Sequence, residues 1–233
     1  IQPHILFNGR NGLPGDFATP EQHLSAPNPW RPWEACVTMN ESWSFHAGDH
    51  EWKTESQVLD MLTRCAQGNG NLLFNVGPSP DGVVPEPCTR VLHRVGEWLR
   101  KNGEAIYGTE LFTYNLQERG AHRGDWNFHG PMTAKGHSLF WLLRRSPGDK
   151  ATLGGLQNKV LSVSRLDNSE ALPFTQSGTR VEIAKVPVTD ETGLWPALRI
   201  ECDGEPVVYQ SGGIRVPKVP HPHYDPCPSD IAH

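Results

Sequence analysis

Glu21, Arg10 and Trp43 are the residues near the start of this chain whose types and settings could do chemistry. A carboxyl group such as Glu21 in A-T-P-E-Q moves protons. A guanidinium such as Arg10 in N-G-R-N-G forks to a carboxylate or to hydroxyl groups. An indole such as Trp43 in N-E-S-W-S-F offers a flat apolar face against which ring C–H groups stack. Each also has a plain structural reading. Thr19, Pro20, Glu21 and Gln22 read as a helix start, with Thr19 as N-cap and Pro20 at the first position. Spacing alone favours that reading. Arg10 alone reads as half of a surface ion pair, and Trp43 as core.

The other reactive types are scattered. Glu34 and Asn75 sit at strand ends and are expected to hold loops by hydrogen bonds. Asp16, Asp49, Asp60 and Asp81 are further carboxylates. His221 and His223 form a weak metal pattern without a third ligand, so no metal site and no cofactor are expected. None of the five cysteines forms a C-x-x-C pair, which weakens a zinc or thioredoxin-like reading and leaves the redox compartment open.

Alternating strands and helices must position these groups. Ile5–Phe7, Ala35–Met39 and Leu72–Val76 read as strands, the last a nearly continuous apolar run expected to be buried on both faces. Val58, Leu59, Met61, Leu62 and Cys65 keep a helical period that Gly68 and Gly70 stop. Val91, Leu92, Val95, Trp98 and Leu99 do the same, ending at Gly103. After Thr109 the pattern changes. Leu111–Leu116, Ser138–Arg144, Lys159–Ser164, Thr179–Ala184 and Ala197–Cys202 read as strands separated by turn residues. That suits a small antiparallel β-sandwich over residues 110–233, following an α/β region over 1–109. The tail from Val216 is rich in Pro and His and is expected to be irregular.

Composition sets the bounds. At 233 residues the chain is long enough for one or two domains. Pro (21) and Gly (23) are abundant, which favours strands and loops over long helices. The net charge of -5 comes without blocks of like charge, so neither nucleic acid nor a membrane surface is an expected partner. No apolar run approaches the ~20 residues of a membrane span.

Four stretches, taken together and in order, carry a family resemblance. They are G-D-F-A-T-P-E (15–21), W-E-A-C-V-T-M-N-E-S-W (33–43), N-L-L-F-N-V-G-P-S-P-D-G (71–82) and W-L-R-K-N-G-E-A-I-Y-G-T (98–109). This half of the chain resembles the later part of the catalytic domain of the alpha-L-fucosidases, glycoside hydrolase family 29. The resemblance implies the C-terminal part of a (β/α)8-like barrel followed by a β-sandwich. It implies a fucosylated oligosaccharide or glycoside as substrate, hydrolysed with retention, and an extracellular, periplasmic or lysosomal setting. In the family, a glutamate in the G-D-F-x-T-x-E setting is the general acid/base, a role that needs a carboxyl able to protonate a glycosidic oxygen near neutral pH; here it falls to Glu21. Arg10, which the resemblance implies binds the sugar together with Trp43, stands where the family shows N-D-R-W-G, with Gly9 and Asn11 replacing its Asp and Trp. An aromatic at the position of Trp43 walls the methyl group of fucose.

The resemblance also implies a missing piece. Retaining glycosidases use two carboxyl groups about 5–5.5 Å apart, and the family's nucleophile is an Asp on an earlier barrel strand. Three α/β strands cannot close a barrel that needs eight strands and ~250 residues. The chain opens at Ile1, inside an expected strand and without Met. The expectation is therefore a fragment that lacks the nucleophile and is inactive alone. The rivals are a carbohydrate-binding sandwich module, marked by an exposed aromatic row for which Trp126, Trp141 and Trp195 are candidates, and an inactive structural remnant.

Overall fold

The computed structural model describes residues 2–13, 15–25, 28, 31–112, 129–208, 216–217 and 231–232. Trp126, Cys227, His221, His223 and most of the Pro- and His-rich tail lie outside them. The fold is rich in sheet and poor in helix.

Strand β1 (Trp33–Thr38) and strand β2 (Gly70–Asn75) pair in parallel, from Trp33 opposite Gly70 to Thr38 opposite Asn75. Helix α1 (Glu55–Gln67) connects them. Its start is fixed by a capping box, with the Thr54 hydroxyl accepting from Gln57 N–H and the Gln57 side chain accepting from Thr54 N–H. Parallel pairing requires such a crossover. The face of β1 that carries Trp33, Ala35 and Val37 is buried with Cys65 of α1 and packs against Met61, Leu72 and Phe74. Helix α2 (Glu86–Asn102) follows, burying Cys88, Val91, Val95 and Trp98 along one stripe.

Seven further strands form two antiparallel sheets. Strands β3 (Met132–Lys135), β4 (Ser138–Leu142), β9 (Ala197–Cys202) and β6 (Val160–Arg165) lie in the order β3-β4-β9-β6. Strands β5 (Lys150–Leu153), β8 (Arg180–Ala184) and β7 (Phe174–Ser177) lie in the order β5-β8-β7. Both sheets feed one core: Leu139, Trp141, Val163 and Ile200 from the first meet Leu153, Val181 and Ile183 from the second. The alternation in Val181/Ile183 and Leu198/Ile200/Cys202 made β8 and β9 readable in advance. Strands β3, β5 and β7 were not foreseen, because four residues give too short a period to distinguish from loop.

A second core joins the two halves. Met39, Val58, Leu59, Val91, Val95 and Trp98 pack with Phe140, Leu142, Trp195 and Ala197. Trp98 Nε1 donates to the Trp195 carbonyl at 2.7 Å, and Asn102 Nδ2 donates to Asp190 at 2.8 Å. Lys101–Glu191, Arg199–Glu104 and Arg144–Asp60 ion pairs rim this contact.

Three local expectations are corrected. Residues 5–7 are not a strand: Ile5, Leu6 and Phe7 are exposed, and only Asn8 bridges a neighbour, Phe17. A short apolar run becomes a strand only when a partner backbone lies beside it. Strand β2 is not buried on both faces, because Leu73 is 51% exposed on the face away from α1. No helix begins at Thr19. Instead Ala18 N–H donates to Pro32 and the Ala18 carbonyl accepts from Glu34 N–H, laying this segment parallel to β1. The pairing continues with Cys36 N–H to the Pro20 carbonyl and Gln22 N–H to the Cys36 carbonyl. Pro20 has no N–H to give the Glu34 carbonyl, so one rung is missing and the strip forms isolated bridges rather than a full strand.

Candidate active site

The strip at 18–22, β1 and β2 run parallel, and Glu21, Thr38, Asn75 and Trp43 gather at their C-terminal ends. Open parallel sheets and barrels carry their ligands at this end. Glu21 bridges Cys36, and Cys36 is in register with Leu73, so these three side chains share the face turned away from α1.

Arg10 reaches the same face. It sits in a 3-10 turn, Gly9–Asn11, begun by the Asn8 side chain accepting from Arg10 N–H. Asp16 ties down the base of this loop twice. Its carboxylate accepts from Phe7 N–H at 2.7 Å, and its own N–H donates to the Phe7 carbonyl at 2.7 Å. Gly15 is required beside it, because a Cβ there would stand 2.6 Å from the Asn8 and Gly9 backbone. The loop delivers Arg10 Nη1 to Glu21 Oε2 at 2.6 Å. The two side chains are 45% and 46% exposed, so the pair faces solvent. Its hydrogen bond to Glu21 raises the Arg10 pKa above its ordinary value.

Trp43 lies on a loop anchored to both strand ends. Asn75 Nδ2 donates to the Trp43 carbonyl and to Thr38 Oγ1, each at 2.9 Å. Thr38 Oγ1 donates to the Ser42 carbonyl at 3.0 Å. Gly77 lets the loop pass close overhead, since a Cβ there would meet Phe45 N and Ser44 C at 2.9 Å. Asp49 closes the loop by accepting from Glu41 N–H and Glu51 N–H. A hydrogen bond from Ser42, with these backbone bonds, holds the Asp49 carboxyl below its usual range. The indole of Trp43 remains 42% exposed rather than core. Phe45, also exposed on this loop, was not singled out in the sequence.

The structure therefore brings Arg10 and Glu21 into direct contact, and ties the Trp43 backbone to the C-terminal ends of β1 and β2 through Thr38 and Asn75. Gln22 takes part as well: its Oε1 accepts from Thr38 N–H at 3.2 Å. No motif marked Gln22, because its role depends on where β1 ends. Glu34 does not anchor a loop through its side chain; among the described residues its carboxylate has no hydrogen-bond partner, and only its backbone is engaged, with Ala18. Asp16 and Asp49 hold loops, and Asp60 pairs with Arg64 and Arg144. Trp141 and Trp195 are buried and supply no exposed aromatic row. Among the described residues, no group of three or more His, Cys, Asp and Glu could hold a metal ion. None of their helices is long and apolar enough to cross a membrane.

Comparison with known proteins gives one family. The sequence model of the alpha-L-fucosidase family matches residues 4–104. The human plasma alpha-L-fucosidase is 30% identical over 173 residues, which cover 70% of this chain and 36% of that protein. Alpha-L-fucosidase isoenzyme 1 from Paenibacillus thiaminolyticus superposes with a TM-score of 0.72 at 28% identity, covering 87% of this chain and 51% of that one. The Thermotoga maritima alpha-fucosidase, solved with a mechanism-based inhibitor, gives 0.66 at 28% identity, covering 84% of this chain and 45% of that one. The chain thus spans about a third of the human relative's length and half of the bacterial chains.

Proposed function

Starting from a chain that belongs, over residues 4–104, to the alpha-L-fucosidase family, we propose that it forms part of a retaining exo-glycosidase that releases terminal alpha-L-fucose from glycans or glycosides. The observation that carries this reading is the Arg10–Glu21 pair at the open C-terminal ends of parallel strands. Glu21 is the general acid/base. As acid it gives its proton to the glycosidic oxygen while the sugar passes to the nucleophile. As base it takes a proton from the water that then frees the sugar, so the anomeric configuration is retained. Arg10 orients the Glu21 carboxylate and neutralises the charge left when the proton has gone. Trp43 walls the methyl face of the sugar. The family resemblance assigns the nucleophile to an Asp on an earlier barrel strand, and Asp16, Asp49 and Asp60 of this sequence are engaged in other contacts.

The same reading gives the architecture. The strip at 18–22 with β1, α1, β2 and α2 is the C-terminal part of a (β/α)8-like barrel, residues 1–109. The two antiparallel sheets around one core are a β-sandwich, residues 110–233. The aromatic row that a carbohydrate-binding module would need finds no support in the buried Trp141 and Trp195.

The test is Glu21→Ala in the complete gene product. Turnover should collapse on fucosides with poor leaving groups and fall less on those with very good ones, which need little protonation. Azide should restore part of the rate by replacing activated water. Equal loss on both substrates without rescue would remove Glu21 from the acid/base role.

A further inference from the structure

The ladder between the 18–22 strip and β1 ends in an unusual way. Its rungs run Ala18 N–H to Pro32, Glu34 N–H to Ala18, Cys36 N–H to Pro20 and Gln22 N–H to Cys36. The next rung of a parallel ladder would take Thr38 N–H to the Gln22 carbonyl. That rung is absent. Gln22 adopts a left-handed backbone at φ 58, a conformation that a residue with a Cβ rarely takes, and this turns its carbonyl out of the ladder. Its own side chain fills the gap, with Oε1 accepting from Thr38 N–H at 3.2 Å. Gln22 therefore grips β1 at two points, through its N–H to Cys36 and through its side chain to Thr38.

We propose that Gln22 is a positioning residue for Glu21. By completing the ladder with its side chain, it lets the strip turn away from β1 immediately after the carboxylate. Glu21 is left as the last in-register residue, projecting from the strand end toward Arg10. The same Thr38 receives Asn75 Nδ2, which also holds the Trp43 carbonyl. The backbone on either side of the site is thus referred to one threonine. A flexible segment after Glu21 would let its carboxyl wander, and misplacement of about 1 Å in a reacting group is costly to turnover. The proposal rests on the reading of Glu21 as the acid/base.

The experiment compares Gln22→Ala, Gln22→Glu, Gln22→Gly and Glu21→Ala in the complete gene product. Two quantities are measured: amide hydrogen exchange at Thr38, and kcat and KM on a poor- and a good-leaving-group fucoside. Gln22→Ala should expose the Thr38 N–H to exchange. It should lower kcat on the poor-leaving-group substrate by about tenfold, the equivalent of one lost hydrogen bond, with a smaller loss on the good one and little change in KM. Gln22→Glu keeps an acceptor oxygen and should restore both. Gln22→Gly tolerates the left-handed turn but has no acceptor, so it should resemble Gln22→Ala even if that variant folds poorly. Unchanged Thr38 exchange in the Ala and Gly variants, or equal kcat loss on both substrates, overturns the role of Gln22. If Glu21→Ala shows the leaving-group dependence and the Gln22 variants do not, Gln22 alone fails. If Glu21→Ala itself loses both rates equally, the reading of Glu21 fails and this proposal falls with it.

Discussion

The Arg10 guanidinium meets the Glu21 carboxylate at 2.6 Å across eleven residues of sequence, on a face of the sheet open to solvent. The loop between them is closed by Asp16 on Phe7, and Gly15 allows its tight approach. Replacing Arg10 by Ala should lower kcat/KM of the complete gene product by roughly ten- to a hundredfold, the scale of a lost positioning contact. The midpoint of thermal unfolding should barely move, because both partners are nearly half exposed. Steady-state kinetics beside a melting curve separates the two outcomes. A large drop in the midpoint with unchanged kcat/KM would make the pair structural.

Trp43 should be dispensable for folding but not for binding. Its side chain is exposed, and its loop is held by backbone groups through Asn75 and Thr38. Trp43→Ala should therefore keep the unfolding midpoint while weakening competitive inhibition by fucose roughly tenfold, as expected for one lost methyl contact. Inhibition by L-galactose, which has a hydroxymethyl group in place of the fucose methyl, should change less. Equal weakening of both sugars would deny the wall to the methyl group.

Trp98 should be the costly residue. It is fully buried in the core shared by α2 and the β4–β9 region, and its indole N–H satisfies the Trp195 carbonyl. Trp98→Phe should destabilise by about 1–3 kcal/mol through the orphaned carbonyl. Trp98→Ala should cost about 3–5 kcal/mol through the added cavity. Denaturant titration of the three proteins checks the order.

Acid should weaken the fold partly through Asp167. Burial alone would raise this carboxyl, whose side chain is 1% exposed, but the Arg165 guanidinium and the Glu191 N–H hold it below the usual carboxylate range. A depressed folded pKa adds stability above the unfolded value of about 3.9, and that stability is lost as pH falls through the folded pKa. The stability gap between the parent chain and Asp167→Asn should thus be full near neutrality and shrink below pH ~4. Denaturant titrations across pH test this; a gap independent of pH would overturn it.

Two thiols should be inert in the native state. Burial pushes the Cys65 thiol up to about 12 and, with help from Asp203 and Glu201, the Cys202 thiol up to about 11. At pH 8 their thiolate fractions are on the order of one part in a thousand or less. Iodoacetamide should label Cys36, which is only half-buried, well before either of them. Peptide mapping of briefly labelled native protein would show the reverse order if the burial were wrong.

Much of this was legible from the sequence for local reasons. The spacing of Val91, Val95 and Trp98 specifies a helix with one apolar stripe wherever it docks, and α2 forms there. The alternation in Ala197–Cys202 specifies a strand with one buried face, and β9 forms there. The motifs around Gly15, Trp33 and Asn71 identified the family because they record many close approaches at once, such as that of the 43–45 loop to Gly77.

The tertiary structure decided what depends on a neighbour distant in sequence. T-P-E-Q carries a helix-start signal, yet residues 18–21 lie alongside β1 because its backbone offers more hydrogen bonds than an isolated first turn could make. Ile5–Phe7 is apolar like a strand, but among the described residues its backbone pairs with the backbone of a neighbouring segment only at the Phe7 carbonyl, which accepts from Asp16 N–H, so no ladder forms. The Arg10–Glu21 pair, the Gln22 clamp on Thr38 and the core shared by Trp98 and Trp195 leave no local pattern, because each joins groups whose proximity the chain acquires only on folding. The sequence alone determined which residues could carry the chemistry and which segments could support them. Only the packing of the strip against β1 decided which carboxylate would face which guanidinium.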